Sequence, residues 1–146
     1  MSSRHFRAGV VAVIEREDGS VLAFERADAP GSWQLPQGGI ERGEEPHDAV
    51  WREVGEETGL GPDQLVLTSE REEWVAYQWP VEVAAGRKAV GQVHKWFTFR
   101  PTTDALTPTP DGSEFTAWKW VDRHWLIDHV VAFRRVAYRR GLGDGG

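Results

Sequence analysis

The sequence predicts an α/β or α+β fold in one domain. Three observations carry this reading. The chain has 146 residues, of which 40% are hydrophobic and 27% charged, enough for one core and ordinary for a globular chain. Short valine- and aromatic-rich runs, bounded by Gly, Pro and Asp, recur along it as strands do. Two longer segments carry helix-type periodicity or helix-end signals.

Phe6 to Ile14 reads as a first strand and Val21 to Phe24 as a second, with Asp18-Gly19 between them as a hairpin turn signal. Ala29-Pro30-Gly31 breaks the chain before the short extended piece Trp33-Gln34-Leu35, and Gly38-Gly39 and Gly43 make the next stretch a loop. A helix follows from Pro46 to Thr58. Proline suits the first helical position, where its missing N–H goes unused. Gly59 suits the left-handed position just past the end. Further strands are expected at Leu65 to Glu70, Glu73 to Val83, Val93 to Arg100 and Glu114 to Val121. In the last, alternation puts Phe115, Ala117 and Lys119 on one face and Trp118 and Trp120 on the other. Asp104 to Gly112, with Pro108 and Pro110, is a loop. A second helix spans Arg123 to Arg140, with Leu126, Val130, Phe133 and Ala137 as its apolar stripe. The tail, 141–146, is expected to be disordered.

Composition excludes some chemistry. There is no cysteine, so disulfides, thiolate zinc sites and cysteine nucleophiles are ruled out. Met1 to Arg7 has no apolar signal core, and no run reaches the ~18–20 apolar residues of a membrane span. The expectation is a cytoplasmic protein with no membrane partner. Eight tryptophans are many for this length. They suit a core, flat ligands, or, for Trp74, Trp79 and Trp125, an interface. The net charge of −6 is concentrated: Glu41 to Glu57 holds seven acids against Arg42 and Arg52, a local −5. The C-terminal part is locally basic, with Arg123, Arg134, Arg135, Arg139 and Arg140.

Glu53, Glu56 and Glu57 fall within an arc of ~100° on the first helix. Three such carboxylates repel, and they sit in the last turns, where the helix dipole disfavours anions. Spacing alone leaves two readings open, a solvated acidic face and a cluster of hard oxygen ligands for Mg²⁺. Ala49 and Val50, one turn earlier on nearly the same side, turn that side toward the protein body. His47, His94, His124 and His129 show no metal-ligand spacing.

The residues Gly38, Glu44 and Arg52-Glu53-Val54-Gly55-Glu56-Glu57-Thr58-Gly59-Leu60 resemble the Nudix box at every defined position between 38 and 60. Trp33-Gln34-Leu35-Pro36-Gln37-Gly38-Gly39-Ile40 resembles the branch of dinucleoside polyphosphate hydrolases and bacterial RNA pyrophosphohydrolases. Gly91-Gln92, Lys95-Trp96-Phe97, Glu114-Phe115 and Val130 to Arg135 resemble that branch too. The resemblance implies an α/β/α sandwich around a mixed sheet, as one Nudix domain over 1–146.

It also implies metal-dependent hydrolysis of a phosphoanhydride in a nucleoside 5′-polyphosphate, either dinucleoside tetraphosphate or 5′-triphosphorylated RNA. Its alternatives are another Nudix substrate, such as ADP-ribose or a nucleoside triphosphate, and a silent nucleotide-binding sensor. The cofactor implied is Mg²⁺, with Mn²⁺ as substitute. Carried onto this chain, the metal ligands are Glu53, Glu56 and Glu57, with the Gly38 carbonyl and Glu114, otherwise a surface strand residue. The base that activates water is Glu53 or Glu56. Arg52 pairs with a box carboxylate, and Glu44 serves the loop or helix start. Lys95 and Arg26 are candidate phosphate contacts. Tyr77 and Phe133 are candidate stacking or wall residues, and Phe133 is equally a core residue of its stripe.

Overall fold

The computed structural model describes residues 5–143. Eight strands and four helices follow in the order β1 (Phe6–Ile14), β2 (Val21–Arg26), β3 (Trp33–Gln34), β4 (Gln37–Gly39), α1 (Pro46–Thr58), β5 (Leu65–Glu70), β6 (Val75–Gln78), α2 (Val81–Ala84), β7 (Gly91–Pro101), β8 (Phe115–Val121), α3 (Arg123–His129) and α4 (Arg135–Gly141), with a 3₁₀ turn at Ala132–Arg134 before α4. The larger sheet is mixed, as expected. β1 runs parallel to β7 along its whole length and antiparallel to β4, while β5 and β6 share the far edge of β7. The smaller sheet has the order β3-β2-β8 and is antiparallel.

Alternation along β1 divides the core. Val10, Ala12 and Ile14 pack with Val50 and Val54 of α1 and with Leu22 and Phe24 of β2. Val11 and Val13 face the other way, toward Trp96, Leu126, Ala137 and Tyr138 on β7, α3 and α4. The result is α1 on one side of the strands and α3–α4 on the other, the layered arrangement expected from the sequence. No helix among the described residues is long and apolar enough to cross a membrane.

α1 has the expected bounds. Pro46 occupies its first turn, and Gly59, at φ 73°, ends it with its N–H donating to Gly55 O. Several other elements differ, each because a tertiary contact outweighs a local pattern. The Asp18-Gly19 turn closes through Arg16 and Ser20, but only one bridge, Glu15 to Val21, joins the flanking strands before they diverge into different sheets. Gly38-Gly39 is a strand, β4, rather than loop, paired with Gly9 and Val10. The strand expected from Glu73 to Val83 ends at Gln78, because Pro80 has no N–H for the ladder and instead leads into the single turn α2. In β8 a bulge opposite Glu25–Arg26 shifts the register. Phe115 therefore stacks on Phe24 at 5.0 Å and shares a core with Trp118 and Trp120, instead of facing away from them.

The single helix expected from Arg123 to Arg140 is two helices with an extended break at Val130-Val131. Two short helices bury more than one straight stripe would. Leu126 and Ile127 enter the core from α3, and Ala137, Tyr138 and Gly141 from α4. The buried Tyr138 hydroxyl accepts the N–H of Leu35 at 3.0 Å. The tail is ordered further than expected: Gly141 is buried against Trp96, and a Cβ there would lie 2.1 Å from the indole. Residues 144–146 of the expected tail lie outside the described residues.

These contacts separate two glycines. Gly55 lies mid-helix, and a Cβ there would meet only Leu60 O, at 3.8 Å. Gly55→Ala is expected to stabilise the protein by about 0.5–1 kcal/mol, whereas Gly141→Ala should destabilise it by about 1–3 kcal/mol through overpacking. Urea unfolding of both variants checks this; equal midpoints would contradict the packing described.

Candidate active site

α1 and β4 build the site by pressing carboxylates against glycines. Ala49, Val50 and Val54 anchor α1 in the core, which forces Glu53 and Glu57 on the same face inward. Glu53 is 9% exposed and Glu57 5%. Gly38 makes the approach possible: a Cβ at that position would lie 2.0 Å from the Glu53 carboxyl carbon. Glu57 Oε1 accepts the Gln37 N–H at 3.0 Å, so β4 and the end of α1 are tied together at the carboxylates.

Arg52 organises the exposed side. Its Nε and Nη2 donate to the two oxygens of Glu44 at 2.8 and 2.9 Å, a bidentate pair. Nη1 donates to Glu53 Oε1 at 2.8 Å and lies 3.4 Å from Glu56, and Nη2 also reaches Gly39 O at 2.9 Å. Glu44 in turn accepts the Glu41 N–H at 2.9 Å, and the Arg52 guanidinium holds its carboxyl down at about 2. Arg52 and Glu44 thus fix the loop before α1 and aim Glu53. Their donors and acceptors are used up in doing so.

The buried pair is electrostatically loaded. Burial raises the Glu53 pKa, against the pull of Arg52. Glu57 is pushed from 4.5 up to about 9, first by burial, then by Glu53, with Glu114 and Asp111 adding. Two buried carboxylates facing each other this way are a donor set short of positive charge, made of the hard oxygens that divalent cations prefer. Among the described residues no group of three or more His, Asp or Glu side chains is placed to hold a metal ion.

Glu56 is exposed, with its side chain 59% accessible. Glu114 is exposed too, in the turn just before β8, near enough to act on the charges of Glu53, Glu57 and Arg26. Asp111 sets that turn: its Oδ1 accepts the N–H groups of Ser113, Glu114 and Phe115 at 3.2, 2.9 and 3.0 Å, and its own N–H donates to Glu57 O. Sequence reading passed over Asp111. Its Asp-x-Ser turn was visible, but the contact with Glu57 was not.

A cationic cluster gathers around Gln34 of β3. Arg26 forms a bidentate pair with Asp28 at 2.9 and 2.8 Å and reaches Gln34 Oε1 at 3.3 Å. Arg134 donates to the same Gln34 oxygen at 2.9 Å and to the Tyr77 hydroxyl at 3.0 Å. The Tyr77 hydroxyl also meets Gln92, and its ring lies 6.0 Å from Phe133 and 5.8 Å from His94. Arg26, Tyr77 and Phe133 are therefore brought together, with Phe133 half-buried beside Tyr77 rather than in the core. Gln34, Gln92, His94 and Arg134 join them unanticipated. Gln34, Gln92 and Arg134 stood within segments that resemble the family branch but were given no role, and His94 was visible only as a histidine without ligand spacing.

His94 is 2% exposed, burial pushes its pKa down to about 3, and its Nε2 has no partner among the described residues. Lys95 is placed elsewhere. Its ammonium donates to Glu72 O at 3.1 Å and lies 3.6 Å from Glu70, in the β5–β6 connection, and no hydrogen bond or ion pair joins it to the box carboxylates.

A family model for the NUDIX domain matches residues 5–140. The chain belongs to the Nudix family. It is 39% identical over 144 residues to an RNA pyrophosphohydrolase of Rhodospirillum rubrum, covering 95% of this chain and 86% of that one. It is 35% identical over 139 residues to the RNA pyrophosphohydrolase of Cereibacter sphaeroides, covering 91% and 86%. Among solved structures it resembles the E. coli dihydroneopterin triphosphate pyrophosphohydrolase, with a TM-score of 0.76 at 22% identity over 97% of this chain and 99% of that one. A C. elegans Ap4A hydrolase matches with a TM-score of 0.71 at 19% identity, over 95% and 96%. These two likenesses concern the fold. The protein is a Nudix hydrolase acting on phosphoanhydride bonds, in a family that works with a divalent metal.

Two expectations follow from the geometry. Gly38→Ala should leave the fold intact, because Glu53 can swing outward, yet lower kcat by about 100-fold through misplacement of that carboxylate. Circular dichroism alongside turnover would show it, and wild-type turnover would refute the role of the Gly38–Glu53 contact. The second concerns pH. A carboxyl raised from 4.5 to about 9 contributes stability that is fully present below 4.5 and is lost as pH rises toward 9. A divalent cation held by this carboxylate would reverse that loss. Mg²⁺ should therefore raise Tm more near pH 8 than near pH 5, and Glu57→Gln should remove the difference, as read by thermal melts with and without EDTA.

Proposed function

We propose that this Nudix hydrolase releases pyrophosphate from 5′-triphosphorylated RNA, with Mg²⁺ as its cation, in the cytoplasm. The observation that carries the reading is the presence of two neighbouring groups: the buried acids Glu53 and Glu57, and the Arg26–Gln34–Arg134 cluster, with Glu114 close enough to act on the charges of both. A 5′-triphosphate needs both. Its phosphates bring negative charge that the carboxylates alone would repel, and its first nucleoside needs a polar, aromatic seat. The relatives named RNA pyrophosphohydrolase, aligned over nearly the whole chain, support the same substrate.

Glu53 and Glu57, with the Gly38 carbonyl, are the residues suited to hold the cation, and the exposed Glu56 and Glu114 are the further carboxylates that would complete its ligand set. The cation supplies charge neutralisation, polarisation of phosphoryl oxygen and acidification of a bound water. The chain's own residues do the rest. Glu53 or Glu56 takes the proton of the attacking water; Glu56 is the more exposed, with one long contact to Arg52. Arg52 and Glu44 hold Glu53 in one orientation. Arg134 and Arg26 meet the phosphates, and Tyr77 and Phe133 form the wall for the first base. Dinucleoside tetraphosphate offers the same linkage and would bind by the same groups.

The test is Mg²⁺-dependent release of pyrophosphate from triphosphorylated RNA, run beside diadenosine tetraphosphate. Glu53→Gln and Glu57→Gln should fold normally and lose about 10³-fold or more in kcat. Arg134→Ala should raise KM more than it lowers kcat. No turnover of triphosphorylated RNA, with rapid turnover of diadenosine tetraphosphate, would overturn the RNA assignment.

A further inference from the structure

A second cationic feature lies beyond that cluster, at the open end of the larger sheet. Register places it. Arg7 of β1 is the cross-strand partner of Gln92 on β7, and Gln92 is the partner of Tyr77 on β6, so the three stand in one row on one face. The Arg7 guanidinium lies against Gly39, 3.2 Å from where a Cβ would be, at the end of β4 that carries Gly38. The next row outward is His5, Val90 and Trp79, joined by Val90 N–H to His5 O and Trp79 N–H to Val90 O, both 2.9 Å. Here a cavity of about 380 Å³ is lined by His5, Arg7, Trp79, Arg87, Lys88 and Ala89. That is within the size range of ligand sites.

The cavity has no acidic lining residue. Arg7, Arg87 and Lys88 make no ion pair among the described residues. In a chain of net charge −6, three uncompensated cations around one cavity are unexpected for a surface of mixed charge. Arg87 is also held in place. Its guanidinium carbon lies 4.8 Å over the Trp79 ring and its Nε donates to Val83 O at 2.9 Å, while Gly86, at φ 78°, turns the chain to present it. A planar guanidinium backed by an indole is a surface on which a base stacks.

Four residues separate His5 from the Gly9–Gly39 row, about 13 Å of strand. A group seated on the box at Gly38 fills the cavity only if it continues well past the phosphoanhydride. We infer that this cavity seats nucleotides downstream of the first in a single-stranded RNA, Arg7, Arg87 and Lys88 meeting the phosphodiesters and Arg87 a base. The inference rests on the substrate class proposed above. It makes the enzyme a reader of chain length as well as of the 5′ end.

The experiment compares triphosphorylated RNAs of two and of about twelve nucleotides, within the span of single-strand grooves. It uses the wild type and the double variant Arg87→Glu/Lys88→Glu, whose residues are exposed and remote from the box. The expected result is a KM about tenfold lower for the longer RNA in the wild type. The double variant should lose that difference, keep wild-type turnover of diadenosine tetraphosphate, and show a shallower dependence of log KM on log salt by about 1.4, two contacts at ~0.7 each. Equal KM for both lengths in the wild type, or a length effect that survives in the variant, overturns the inference.

Binding of a fluorescent 5′-hydroxyl twelve-nucleotide RNA in EDTA, read by anisotropy, separates it from the substrate reading. Binding that the variant loses supports the cavity's role even if no triphosphorylated RNA is turned over, which would sink the substrate proposal alone. Turnover without variant-sensitive binding sinks the cavity alone. Displacement of the labelled RNA by polyglutamate as readily as by unlabelled RNA, at equal charge, would assign the cavity to acidic polypeptides instead.

Discussion

Glu53 and Glu57 are forced out of water by the packing of α1, and much of the rest of the site answers that one constraint. A carboxylate is costly to bury without a partner, and here two are buried side by side. Gly38 gives Glu53 room, the Gln37 N–H gives Glu57 one hydrogen bond, and Arg52 gives Glu53 a charge. None of these offsets the burial fully, since both carboxyls remain shifted upward. On the reading proposed above, a cation held by the pair would supply the remainder and so couple stability to metal affinity.

Around the pair, the supporting residues divide by reach. Arg52 and Glu44 act within the loop and helix that carry them, closing a bidentate pair that leaves little freedom to the chain between Gly39 and Pro46. Asp111 acts from far along the chain, fixing the turn that brings Glu114 toward Glu57. The smaller sheet carries that turn, and the larger sheet carries Gly38. The site therefore exists only where the two sheets meet α1.

The charged groups of the molecule are unevenly shared out: Glu53 and Glu57 are buried at α1, while Arg26 and Arg134 meet at Gln34. A polyphosphate held by both groups, as proposed above, would find cation-binding oxygens at one end and cationic side chains at the other. The basic residues beyond, from Arg7 to Lys88, extend the second group outward.

Local physics determined what the sequence by itself could tell. Proline at the first turn and glycine at the left-handed end are short-range facts, and α1 and its bounds were legible from them; the three carboxylates at helical spacing left two readings open, and the chemistry came from the resemblance to the Nudix box. The layers were expected from the resemblance to the Nudix family. Only the tertiary structure decided the rest, because each remaining feature depends on residues distant in the chain. Gly38-Gly39 became a strand because β1 offered an edge. The C-terminal helix broke because Tyr138 and Gly141 gain more from Leu35 and Trp96 than a continuous helix would. A bulge reversed Phe115. Arg26 and Arg134 share the Gln34 oxygen although Arg134 stands 100 residues from it, and no periodicity encodes a meeting of that kind.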